Sequence, residues 1–143
     1  MRFRWLFGRA CSYTRAMNLE KVIFGFFIIL ACTLNFGFFI GDIDRVDLHH
    51  PMELGIALSI NLIATVLKFG DRTHLGATHL ATSLVASLQL IAASAVWMVH
   101  VHFKGLPMDS YSMSTVVSVS GGALLANLVS VTLLIGETLR QGR

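Results

Sequence analysis

Four apolar runs, at residues 22–40, 51–69, 76–101 and 113–137, are separated only by short polar connections. Each is close to the ~20 residues that a helix needs to cross ~30 Å of hydrocarbon. The last two are longer, which leaves room to tilt or to project beyond a bilayer. The charge content agrees. Only 13% of the chain is charged, against 55% hydrophobic, and the mean hydropathy is +0.70. A soluble domain carries about a quarter charged residues. The connections at 41–50, 70–75 and 102–112 are so short that consecutive runs must be antiparallel neighbours. The expectation is an all-α membrane protein: an up-and-down bundle of four transmembrane helices spanning 19–143, preceded by a short amphipathic N-terminal segment, 1–18.

Local signals fit these boundaries. Pro51 suits the first turn of a helix, Glu53 suits the positive end of its dipole, and Gly70 suits a C-terminal cap. The pentapeptide FGFFI occurs at 24–28 and again at 36–40. An offset of twelve residues turns the two copies about 120° apart, so they share no helix face.

Lysine and arginine give a direction. Arg2, Arg4, Arg9, Arg15, Lys21, Lys68, Arg72, Arg140 and Arg143 fall at one end of the runs, and Arg45 and Lys104 at the other. The crowded side is expected to be cytoplasmic, with both termini on it. Trp97 and Tyr111 suit the outer interface, Trp5 and Tyr13 the inner one. The arginines of 1–18 alternate with Phe3, Trp5, Leu6 and Phe7, as in an interfacial helix on an anionic membrane face. Membrane lipids are therefore expected partners and nucleic acid is not, because no basic stripe lies on a soluble fold. Cys11 and Cys32 belong to different environments and neither has a CxxC partner, so no disulfide, thiol redox site or structural zinc is expected.

The most polar stretch is GDIDRVDLHHP, 41–51, an outward loop. Asp42, Asp44 and Asp47 could attract cations to a pore mouth if copies of the loop surround an oligomer axis. His49 and His50, with His100 and His102 from the next outward connection, are weak metal candidates. Asp42-x-Asp44-x-x-Asp47 lacks the glycine and final glutamate of an EF-hand loop. His79 and His100 lie on roughly one face of the third helix. They are about six turns apart, and haem at either end would need a second axial ligand from elsewhere. No cofactor is expected.

Each run carries one carboxamide. Asn61, Gln89 and Asn127 fall near mid-membrane and Asn35 nearer the outside. Buried amides either bond between helices or line a polar path. No Asp, Glu, Lys or Arg sits at mid-membrane, which argues against a proton pump or a voltage sensor. On the fourth run, Ser114, Ser118, Gly122, Ala126 and Ser130 form a small-residue ridge at intervals of four, a packing surface with Ser118, Gly122 and Ala126 at its middle. No nucleophile elbow, phosphate loop or paired carboxylate appears, so the chain does not read as an enzyme.

The stretch NLIATVLKFGDRTHLGATHLATSLVASLQLIAA, 61–93, resembles small four-helix inner-membrane proteins of proteobacteria that have no assigned activity. The resemblance implies a bacterial inner membrane. The functional expectation is a small polytopic protein that acts as a homo-oligomer and conducts cations or helps to. The alternative is a non-catalytic accessory subunit packed against a larger membrane complex, and a metal- or haem-binding membrane protein comes third.

Overall fold

The computed structural model describes residues 3–43, 45–70 and 73–141, with side chains from Leu19 to Arg140. Helix α1 spans Phe3–Phe39, α2 Pro51–Lys68, α3 His74–Met98 and α4 Ser110–Gln141. A 3-10 turn, Val46–Leu48, lies between α1 and α2, and a π turn, Val99–Phe103, widens the end of α3. No strand occurs among the described residues. All four helices contain a segment long and apolar enough to cross a membrane: Leu19–Phe39, Pro51–Lys68, His74–Phe103 and Ser110–Arg140.

The helix starts follow from local chemistry. The His50 side chain accepts from Met52 N, and Pro51 between them has no N–H to satisfy. The Thr73 hydroxyl accepts from Gly76 N at 3.0 Å, and an Asp109 carboxylate oxygen accepts from Ser112 N at 3.0 Å. The ends differ from expectation at one point. Gly70 is not a left-handed cap; the described residues with positive φ are Gly41, at 130°, and Gly105, at 64°. Gly105 closes the π turn in a Schellman-like arrangement, in which Leu106 N donates back to His100 O. Helix α1 runs without a break from Phe3 into the first apolar span. The side chains of Arg4, Arg9 and Arg15, and all of Arg2, lie outside the described residues.

The helices form a ring in which α1 packs on α2, α2 on α3, α3 on α4 and α4 on α1, with α3 on α4 the most extensive. Each turns a seam inward at three- and four-residue spacing: Phe24, Ile28, Ala31, Asn35 and Phe38 on α1, for example, and Leu54, Ala57, Asn61 and Ala64 on α2. The seams are unusually small and polar. Many large apolar side chains point outward, with Val66 71% and Leu125 65% exposed. A water-soluble bundle has the opposite distribution.

Candidate functional site

The apolar core is broken in two. An outer cluster contains Phe38, Leu54, Ala57, Ala86, Leu90 and Ala123. An inner cluster contains Phe24, Ile28 and Ala64, with Val131 and Leu134 against it. On α1, Asn35 lies between Ile28 and Phe38. On α2, Asn61 lies between Ala57 and Ala64, and on α4 Asn127 lies between Ala123 and Val131. On α3 the equivalent position is Ser83, between Ala86 and His79, whose ring meets Phe24 edge-on at 5.3 Å. These four side chains are at most 1% exposed, and Ser130 of α4 is as deeply buried beside Asn127.

The register between helices is set by close pairs. Thr82 and Ser130 share a hydroxyl hydrogen bond across α3 and α4. Above them, Gln89 lies against Gly122, where an added Cβ would sit 2.5 Å from Nε2. The Phe39 ring fills the space beside Gly121, where a Cβ would sit 2.7 Å from the ring. Thr65 of α2 and Ser87 of α3 lie 3.2 Å apart through their hydroxyls.

Some of the buried polar groups are satisfied within their own helices. Asn61 Nδ2 donates to Ala57 O at 3.0 Å, and Thr65 Oγ1 donates to Asn61 O at 2.8 Å. Others are not. Both polar atoms of Asn35 and of Asn127, Ser83 Oγ and Gln89 Oε1 are buried without a hydrogen-bond partner among the described residues. Such atoms cost about 1–3 kcal/mol each if nothing pairs with them, and they are where bound water or an ion is looked for.

Of the expected mid-membrane amides, Asn127 is buried near the level of Ser83, and Asn61 is buried about two turns away from it, on the other side of the Thr65–Ser87 contact. Gln89 is half-buried, and Asn35, expected nearer the outside, is fully buried in the bundle. The α3 member, Ser83, was missed because only carboxamides were sought. The seam of Gly76, His79, Ser83, Ala86, Leu90 and Ala93 at helical spacing was the signal that could have found it. Of the packing residues, Gly122 and Ala126 are half-buried, with Gly122 used between α3 and α4 of the same chain, whereas Ser118 is exposed.

The loop between α1 and α2 folds on itself. The Arg45 guanidinium forks onto Asp47 at 2.6 and 3.2 Å, and this hydrogen bonding holds the Asp47 carboxyl below its ordinary range. Asp42 is exposed and its carbonyl accepts from Arg45 N at 3.0 Å; Asp44 lies outside the described residues. His49 is 2% exposed, with Nδ1 at the Phe38 carbonyl and Nε2 3.3 Å from the Asp42 carbonyl. His100 Nδ1 is 3.0 Å from Ser112 Oγ and its Nε2 is 3.8 Å from Asp109 Oδ1. His102 is exposed. Among the described residues no three His, Cys, Asp or Glu side chains come together as metal ligands. At the other end of the bundle, Lys21 pairs with Glu137 at 3.6 Å, and the Lys68 ammonium stands 4.2 Å over the Phe24 ring.

A sequence profile described as a family of unknown function (DUF6394) matches residues 48–138. That segment holds Asn61, Ser83, Gln89 and Asn127 but neither Asn35 nor the Asp42–Asp47 turn. No curated protein and no solved structure matches the chain.

Proposed function

We propose that this chain, which belongs to that family of unknown function, is an integral protein of a bacterial inner membrane that passes small cations along the seam of its own bundle. It is non-enzymatic, with both termini cytoplasmic. The observation that supports this most is that Asn35, Ser83 and Asn127, each at most 1% exposed, carry side-chain polar atoms buried without a hydrogen-bond partner among the described residues. A protein built only to stay folded in lipid gains nothing from unpaired amides, and apolar side chains would fill the same space at lower cost. The apolar exterior is what a hydrocarbon solvent requires. The excess of basic residues at one end sets the orientation.

This reading changes where the path runs. The amides are buried inside one bundle, so they line a route within a chain rather than an axis between copies. The outer aspartates contribute less than their number suggests, because Arg45 offsets Asp47. The test is cation flux into liposomes holding the purified protein. Asn127→Leu should lower flux at least tenfold while the variant stays folded. Equal flux from parent and variant, or none from either, removes the reading.

A second reading rests on a different observation. Gly55, Ser59 and Ser118 are small and exposed, and small residues on a lipid-facing surface let another helix approach closely. They fit a homo-oligomer or docking onto a larger membrane complex. The mass of the protein extracted with native lipids separates a lone bundle from either assembly.

A further inference from the structure

We propose that the N-terminal turns of α1 dock an acidic amphipathic helix of a partner protein. The inference goes beyond the conduction reading and does not depend on it. On α1, Phe24, Ala31 and Phe38 are buried at intervals of seven residues, as part of the seam that faces the bundle. The same interval carried toward the N-terminus reaches Met17, Ala10 and Phe3, and Leu6 and Tyr13 fall between them three residues on. Helix α1 is continuous from Phe3 to Phe39. One apolar face at coiled-coil spacing therefore continues the seam past the end of the bundle.

Nothing in the described chain runs beside that extension. Lys21 pairs with Glu137, and α4 ends at Gln141, four residues further on, about level with Met17. Thr82 meets Ser130, so α3, which starts at His74, begins about level with Thr138 of α4. Lys68, the last residue of α2, reaches only to Phe24. From Met17 to Phe3 the helix stands alone for about 21 Å. A lone helix of that length is marginal in water, and covering its apolar face stabilises it.

Charge selects what covers it. Residues 1–19 hold Arg2, Arg4, Arg9 and Arg15 and no Asp or Glu. A second copy would double that charge with no carboxylate to offset it, whereas an acidic helix complements it. An anionic lipid surface fits the geometry less well. Lying on it needs a sharp bend near Leu19, where the apolar span begins. Sharp bends arise at Pro or Gly; residues 15–21 contain neither, and α1 has no break there. Unbent, the helix carries Phe3 about 24 Å beyond Leu19, well past the Debye length of about 8 Å over which a charged surface acts.

The test uses the full chain in phosphatidylcholine nanodiscs and a fluorescent synthetic peptide of three heptads, with Leu at a and d and Glu at e and g. Anisotropy should show saturable binding that weakens as salt rises. A peptide with Gln in place of Glu should bind about tenfold more weakly or worse, as should the peptide to a variant combining Arg4→Gln, Arg9→Gln and Arg15→Gln. Leu6→Gln with Tyr13→Gln should abolish binding. All variants should keep the parent's melting midpoint, because the face lies outside the bundle. No binding to the parent, equal binding of the Glu and Gln peptides, or binding that survives Leu6→Gln with Tyr13→Gln overturns the proposal. It falls to a second copy if the mass without peptide is that of a dimer and Leu6→Gln with Tyr13→Gln returns it to one chain. It falls to lipid if phosphatidylglycerol nanodiscs abolish peptide binding.

Discussion

His49 Nδ1 lies 2.7 Å from the carbonyl oxygen of Phe38, in the last turn of α1. A helix leaves its final carbonyls without intrahelical donors, and here a residue eleven positions on supplies one. The chain reverses at Gly41, whose φ of 130° is open to glycine and strained for other residues. The imidazole then folds back under the loop, its ring 5.3 Å from that of Phe38. One of the four histidines considered as metal ligands from the sequence is a strap.

Replacing the strap should loosen the outer end. His49→Ala removes a buried donor and leaves a cavity, and should cost about 1–3 kcal/mol. His50→Ala removes an exposed helix cap and should cost about 1 kcal/mol or less. Denaturation of both variants in the same detergent checks the order. If His50→Ala proves the more damaging, the strap assignment is wrong.

The Gln89–Gly122 approach should behave as an intramolecular contact. Gly122→Ala brings a Cβ into the Gln89 amide and should destabilise by about 1–3 kcal/mol. In a Gln89→Ala background the same substitution should cost much less, giving a coupling of about 0.5–3 kcal/mol. A double-mutant cycle on thermal stability measures it. Additive effects would mean that the two side chains do not meet.

Asn127, whose side-chain atoms are buried without a partner among the described residues, should trade stability for function. Asn127→Leu exchanges two unpartnered atoms for a side chain of similar size, so the variant should melt at the same temperature as the parent or higher. A marked fall in midpoint would show that Asn127 bonds to protein in the native state.

Acid should act at the α4 cap. Hydrogen bonds from Ser112 hold the Asp109 carboxyl below its ordinary value of 3.8. A depressed carboxylate contributes stability above its unfolded value, and that contribution is lost as pH falls through the folded one. Melting between pH 6 and pH 3 should therefore show a smaller acid decline in Asp109→Asn, which keeps a capping oxygen but does not titrate. An unchanged decline assigns the acid sensitivity elsewhere.

Labelling tests the orientation. In a cysteine-free background, a cysteine at exposed Leu48 should react with an impermeant thiol reagent added to intact cells, and one at exposed His74 only after lysis. The opposite pattern reverses the topology.

Residue order alone determined the four helices, their antiparallel succession and their apolar surfaces. Length, periodicity and short connections are local properties, and the low charge content leaves little choice of packing. Pro51, Thr73 and Asp109 mark helix starts for equally local reasons. Which polar residues meet was a different matter. Asn35 seemed peripheral and Ser83 unremarkable until the approach of Gln89 to Gly122 and of Phe39 to Gly121 set the register between helices. A slide of one turn, about 5.4 Å, would leave every helix intact and move Asn127 out of level with Ser83. The partner of His49 was likewise hidden, because it depends on how sharply the chain reverses at Gly41. Register and reversal arise from close packing between segments distant in sequence, and only the tertiary structure decides them.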